Sequence, residues 1–344
     1  MLGKSGAHTQ FGPLPHPPRR RRPAHRPGGP GVTTGRDEFA VIDALRARFE
    51  TPGGRLPDGD VGIGDDAAVV TLPGDGQMVL ATDLVVEGVH VDLTTCSPED
   101  VGWKALMVAV SDVGAMGCAP THVLLSVAAP AGFPIERLGD GVAEAAATAG
   151  CVVVGGDLSA APVLVVSVTA VGPTPDVGSP LRRSGAHPGD RLLVTGPLGS
   201  SAAGLRLLGG SGAVTVDALA TAHRRPVARL REGWVAREAG ATAAIDVSDG
   251  LAADVGHLAE ASGVGVELEV GPDLVAEGAT RDEALSGGED YELVLATPDP
   301  DRLRSAFRAE GLRAPLDVGW CTDRPGHRML DGAPLPAAGW RHRF

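Results

Sequence analysis

Apolar positions along the chain follow two different periods. Phe39, Ile42, Leu45 and Phe49 recur every three or four residues, which predicts a helix ended by Thr51-Pro52-Gly53-Gly54. The apolar runs 67–72 and 78–84 have strand length, and Pro73-Gly74-Asp75-Gly76 between them predicts a strand pair. Ser97-Pro98-Glu99-Asp100 opens a second helix: a hydroxyl to cap it, proline at its first position and acids in its first turn. That helix is expected to run to about Met116, with Gly117 and Pro120 stopping it. A strand over His122–Ala129, a helix over 134–149, a strand over 151–155 and another over 163–171 follow. The turn-rich stretch 172–190 marks a domain boundary, and 191–195 begins a second unit. There, helices near 200–208, 226–239 and 249–262 mix with strands near 243–247, 264–270, 290–296 and 314–319. The pattern is that of α/β or α+β layers, with no solenoid repeat.

A length of 344 residues suits two domains, and 43% hydrophobic residues suffice for their cores. With aromatics at 3%, those cores rest on Ala, Val and Leu. No run of eighteen apolar residues occurs, so a membrane-spanning helix is not expected. Residues 1–36 hold Lys4 and six arginines without an acid, so the rest is more acidic than the net charge of −13 implies. An acidic body does not suit nucleic acid; it suits a solvated surface or divalent cations. Residues 15–31 are rich in Pro, Arg, His and Gly, and 1–36 reads as a disordered tail without a secretory h-region. Cys96, Cys118, Cys151 and Cys321 are scattered with no CxxC pair, so a reducing compartment, the cytoplasm, is expected.

The chemistry concentrates in aspartates beside glycines or hydroxyls. They occur in Gly62-Ile63-Gly64-Asp65-Asp66, Ala81-Thr82-Asp83, Ser111-Asp112, Gly155-Gly156-Asp157 and Asp246-Val247-Ser248-Asp249-Gly250. Asp83 and Asp157 are expected at strand ends, and Asp112 shares a helical face with Lys104 and Val108. Pockets of α/β proteins open at strand carboxyl ends, so these acids can converge. Converging carboxylates repel unless cations fill the space, and Mg²⁺ takes oxygen ligands from carboxylates, water and phosphate. Each cluster alone is also ordinary turn chemistry, and Asp157 or Asp249 alone can be a helix cap. The only lysines, Lys4 and Lys104, fit neither a P-loop nor a protein-kinase motif, and no GxSxG or HExxH occurs. Gly199-Ser200-Ser201-Ala202-Ala203-Gly204 fits a helix cap better than a phosphate cradle.

Read in order from about Asp37 onward, eight segments carry a family resemblance. They are Gly62-Ile63-Gly64-Asp65-Asp66-Ala67-Ala68, Thr82-Asp83 through Glu87-Gly88-Val89-His90, Lys104-Ala105-Leu106 through Ser111-Asp112 to Ala115-Met116-Gly117, and Gly155-Gly156-Asp157. Arg183-Ser184-Gly185-Ala186, Thr195-Gly196-Pro197-Leu198-Gly199, Ala244-Ile245-Asp246-Val247-Ser248-Asp249-Gly250-Leu251 and Ser286-Gly287-Gly288-Glu289-Asp290-Tyr291-Glu292-Leu293 complete the set. Together they resemble the thiamine-monophosphate kinase family, of the superfamily that includes aminoimidazole ribonucleotide synthetase and selenophosphate synthetase.

The resemblance implies a two-domain aminoimidazole ribonucleotide synthetase-like α/β (α+β) fold. Residues 37–175 would form an N-terminal ATP- and magnesium-binding sheet domain that builds a dimer barrel. Residues 176–344 would form a C-terminal α/β domain completing the site. It implies ATP-dependent phosphorylation of thiamine monophosphate to thiamine diphosphate by a homodimer, with several Mg²⁺ ions and no nucleic-acid or membrane partner. Asp66, Thr82, Asp83, Asp112, Asp157, Asp246 and Asp249 would hold metal, Asp112, Asp157 and Asp249 being catalytic. Gly156, Asp157, Arg183 and Ser248 would meet ATP, and His90, Glu289 and Trp340 the thiamine substrate. The acceptor is already an ionised phosphate, so direct in-line transfer without a general base is expected. Ala81 departs from the Ser or Thr usual in the family, and 209–225 and the last fifteen residues match loosely. Two alternatives stand beside this reading: a purine-pathway ligase of the same superfamily, which fits Ser286 to Leu293 poorly, and a non-catalytic cation-binding protein.

Overall fold

The computed structural model describes residues 38–49, 58–72, 76–175, 178–210, 218–336 and 338–342. The N-terminal tail, the Thr51-Pro52-Gly53-Gly54 breaker and most of the Pro73-Gly74-Asp75-Gly76 turn lie outside the described residues.

Helix α1 (Glu38–Phe49) precedes a five-stranded sheet made of β1 (Ala68–Thr71), β2 (Gln77–Val86), β3 (His122–Ala129), β4 (Val152–Ala160) and β5 (Val165–Pro173). Its order is β1-β2-β5-β3-β4, antiparallel except for the parallel pair β3–β4. Helices α2 (Pro98–Ala115) and α3 (Ile135–Ala149) are the helices of this unit. Ser97 caps the start of α2 as the sequence predicts, and Asp100 accepts in return from the Ser97 amide, which completes a reciprocal capping box. From Val101 to Ala115, Asp112 alone is not fully buried. A helix apolar on every side must be packed on every side. α2 lies against β2 and β5, touches α3, and meets elements of the second unit. The α2–α3 crossing is close because Gly102 and Gly141 face the partner backbone; an added Cβ at Gly141 would run into the Glu99 carbonyl.

The second unit starts with β6 (Arg191–Val194), α4 (Ser200–Leu208), α5 (Ala218–Arg224), α6 (Leu230–Glu238), β7 (Ala243–Asp246), α7 (Leu251–Ser262) and β8 (Gly265–Leu268). It continues through α8 (Arg281–Ser286), β9 (Leu293–Thr297), α9 (Pro300–Ala309), β10 (Leu316–Thr322), β11 (Arg328–Leu330) and β12 (Ala333–Pro334). The sheet order is β12-β11-β8-β10-β6-β9-β7. Leu192, Val194, Ile245, Val255, Leu258, Val266 and Val294 fill one side of it, and Leu193, Leu295, Leu303 and Phe307 the other.

Three expectations need correction. The helix expected over 226–239 begins only at Leu230, because the chain first uses the Pro226 carbonyl to accept from the buried Trp103 indole at 2.7 Å. β2 continues past Asp83 to Val86, and β4 continues past Gly155 to Ala160. Backbone pairing with β5 and β3 carries both strands on, so Asp83 and Asp157 lie within strands and not at their ends.

Candidate active site

Three carboxylates from distant segments converge between the two sheets. Asp66 comes from the loop before β1, Asp112 from the last turns of α2 and Asp246 from the carboxyl end of β7. Each offers an oxygen within 4.8 Å of the others. Asp83 joins them by strand alternation: Val79, Ala81 and Val85 are buried on the α2 side of β2, and Asp83 shares their parity. Burial, then the Asp246, Asp83 and Asp66 charges, raise the Asp112 carboxyl well above the usual carboxylate range. Burial, with Asp66 next, raises Asp246 to about 7. Asp83 is raised by burial, against the hydrogen bond from the Leu84 amide. These shifts mark acids that need a positive counter-charge.

Arg183 supplies part of it. Its guanidinium donates to Asp66 Oδ1 at 2.7 Å and its backbone N–H to Asp65 Oδ1 at 3.1 Å. Ser111 Oγ donates to Asp246 Oδ2 at 2.7 Å. Asp66 Oδ2 is buried without a hydrogen-bond partner among the described residues. An orphaned oxygen inside a self-repelling, all-oxygen donor set fits a hard divalent cation.

Beside this cluster, the loop 247–250 carries Ser248 and Asp249. The buried Asp254 accepts from the Asp249 and Gly250 amides at 3.1 and 3.0 Å, which fixes the loop. Asp249 is raised to about 6 by burial and then by the Glu38 charge, and Asp65 to about 6 by burial and then by Asp66.

A second group faces the same cleft from α2 outward. His90, in the turn after β2, accepts from the Val86 amide through Nδ1 at 3.1 Å, and its ring meets His342 edge-on at 5.2 Å. Burial, then the His342 and Lys104 charges, lower its pKa to about 4. Glu289 takes Lys104 Nζ at 2.7 Å and lies 3.4 Å from His223 Nδ1. Trp340 is half exposed and 5.8 Å from His342, with its backbone N–H bonded to the Asp249 carbonyl at 3.0 Å.

Not every expected site residue joins this cleft within one chain. Gly156 and Asp157 are exposed on β4, the edge strand. The registers Asp83↔Val168, Val168↔Leu125 and Leu125↔Gly156 put them three strands from Asp83, about 14 Å at the usual strand spacing. Thr82 has the opposite parity to Asp83, and its hydroxyl turns to the Val168 carbonyl at 3.3 Å and to Thr169. Sequence reasoning assigned no role to Lys104, His223, Asp254 or His342. Lys104 alone left a signal there, as one of two lysines in the chain.

Comparisons with known proteins agree with this architecture. The model of the AIR synthase related protein N-terminal domain matches residues 64–174, and that of the C-terminal domain residues 187–332. A thiamine-monophosphate kinase of Mycobacterium tuberculosis is 38% identical over 324 residues, spanning 88% of this chain and 91% of its own. One from Bacillus subtilis is 41% identical over 272 residues, spanning 75% and 82%. Among solved structures, AaThiL complexed with AMPPCP and TMP matches with a TM-score of 0.75 at 33% identity, over 89% of this chain and 97% of that one.

Proposed function

The chain belongs to the thiamine-monophosphate kinase family of the AIR synthase related proteins, and from that membership we propose that it phosphorylates thiamine monophosphate to thiamine diphosphate with ATP. The observation that carries this reading is the meeting of Asp66, Asp112 and Asp246 beside Arg183, with one buried Asp66 oxygen left open. The ATP analogue and TMP held by AaThiL are the two substrates such a cleft would take.

The step is a direct transfer. An oxygen of the thiamine monophosphate phosphate forms a bond to the γ-phosphorus of ATP, the bond to the β-phosphate bridging oxygen breaks, and ADP leaves. The acceptor oxygen is already anionic, so no side chain need remove a proton. Magnesium held by Asp66, Asp83, Asp112, Asp246 and Asp249, with Asp157 supplied by a second copy, would neutralise the facing phosphates, whereas Thr82, expected among these ligands, points its hydroxyl to the opposite face of β2. Arg183, whose planar fork suits phosphate, would exchange its Asp66 contact for the nucleotide, alongside Gly156 and Ser248. His90 would meet the acceptor phosphate, Glu289 the cationic or amino-bearing part of thiamine, and Trp340 its ring. Residues 37–175 act as the nucleotide and dimerisation domain and 176–344 complete the site.

The partner of the chain is a second copy. Leu84, Leu124, Val152, Val154 and Leu158 are 44–65% exposed on the first sheet, whose edge strand β4 is unpaired on one side. Pairing two such sheets would cover these residues and bring Gly156 and Asp157 of one copy to the acids of the other, which answers their separation within one chain. The proposed compartment is the cytoplasm, since Cys96, Cys118, Cys151 and Cys321 are buried free thiols.

The test is product analysis of the purified protein with ATP, Mg²⁺ and either thiamine monophosphate or a purine-pathway acceptor. Thiamine diphosphate and ADP in equal amounts are expected, and none after chelation of Mg²⁺. Turnover only with the purine precursor selects the ligase reading, and cation binding without ADP release selects the non-catalytic one.

A further inference from the structure

Lys104 takes no part in the cation or nucleotide machinery, yet it is only 1% exposed. It lies two helical turns before Asp112 on the same face of α2. Its ammonium pairs with Glu289 Oε1 at 2.7 Å and donates to the His90 carbonyl at 3.2 Å. The side chain thereby joins α2, the turn after β2 and the loop before β9, the last belonging to the other sheet unit. On the far side of the same carboxylate, His223 Nδ1 lies 3.4 Å from Glu289 Oε2 and 3.0 Å from Ser201 Oγ. His223 is 4% exposed.

Glu289 is held as well by its backbone. Its φ is 68° and that of Tyr291 is 51°, a left-handed region that residues other than glycine seldom adopt. The Glu289 and Tyr291 amides are tied to the Ser248 and Val247 carbonyls at 2.8 and 2.9 Å. An unheld glutamate samples many rotamers, and ordering it on binding weakens binding. The grip from Lys104, with the His223 ring 3.4 Å from the other carboxylate oxygen, favours one rotamer in advance, while 24% of the side chain still faces the cleft. A carboxylate has about four lone-pair sites, so Glu289 held through Oε1 keeps acceptor capacity for a ligand.

We infer that Lys104 is a positioning residue for the acceptor: by gripping Glu289 and the His90 turn together, it sets the spacing of the two groups that take thiamine monophosphate. The inference rests on the functional reading above. A buried ion pair can also serve the fold alone, and then its loss would act on both substrates alike.

Steady-state kinetics separate the two roles. Lys104→Met, Glu289→Gln and the double variant are compared with wild type, with KM for ATP and KM for thiamine monophosphate measured separately. Lys104→Met is expected to raise KM for thiamine monophosphate by about tenfold or more and leave KM for ATP within about twofold. The double variant should be no worse than the poorer single variant, because both remove one device. A parallel rise of both KM values, or losses that multiply, overturns the inference. His223→Gln covers the case in which Lys104→Met does not fold. A rise of roughly two- to fivefold in KM for thiamine monophosphate alone supports the grip, and no rise overturns it. Wild-type protein inert toward thiamine monophosphate removes the functional reading itself; active wild type with unchanged KM in folded Lys104→Met removes only the grip.

Discussion

Burial and the neighbouring Asp66 raise Asp246 to about 7, and burial lifts Asp65 and Asp249 to about 6. A carboxyl raised on folding favours the fold while protonated. Its contribution is complete below the ordinary value of 3.8 and is lost as pH climbs through 6 to 7. His90, His223 and His257, each lowered to about 4 mainly by burial, act in the opposite sense. Their contribution is present above 6.5 and is lost as pH falls toward 4. Adding Mg²⁺ isolates the acids, because ion and proton compete for the same oxygens. Differential scanning fluorimetry should show a Mg²⁺-induced rise in Tm that is near zero at about pH 5 and a few degrees at about pH 8. A rise independent of pH counts against the cluster. The acids themselves were legible, since Gly-Asp-Asp, Thr-Asp and Ser-Asp stand out in the chain. Lys104 stood out only as one of two lysines and His223 not at all, because nothing local tells a buried neighbour of Glu289 from a core or surface residue.

At the level of elements, local signals read well where side chains set them. Ser97, Pro98 and Asp100 announced α2, and the box they form is present. Helices α8 and α9 were not expected, although Thr280 with Glu283 and Asp299 with Pro300 cap them with the same residue types. The ends of β2 and β4 were misread because Gly155-Gly156 and Asp83 look like stops, whereas ladder hydrogen bonds use only the backbone. The α2–α3 crossing yields a paired test. Gly141→Ala puts a methyl against the Glu99 carbonyl, while Gly139, on the same helix, has open space around its Cβ position. Urea unfolding should show a loss of about 1–3 kcal/mol for Gly141→Ala. Gly139→Ala should be neutral or stabilising by up to about 1 kcal/mol. Equal effects at the two positions would mean the helices do not cross there.

For the whole molecule, two α/β units followed from strand and helix order, whereas the cleft between their sheets did not, and pairing of two copies came only from the family resemblance. No periodicity reveals that the outer face of the first sheet is left bare. If Asp157 of one copy completes the partner's site, inactive Asp112→Asn and inactive Asp157→Asn proteins should rescue each other when mixed and allowed to exchange. Half of the randomised dimers are mixed and each has one intact site, so activity should return to about a quarter of wild type. No recovery would keep Asp157 with its own chain.

The central claim is that acids far apart in sequence make one cation cradle, and Mn²⁺ binding followed by loss of the free-ion paramagnetic signal tests it most directly. Wild type should withdraw Mn²⁺ from solution. Asp112→Asn, which removes one charge from a repelling cluster, should bind at least one ion fewer per chain while keeping its thermal midpoint. Equal binding by the two folded proteins would contradict the cradle.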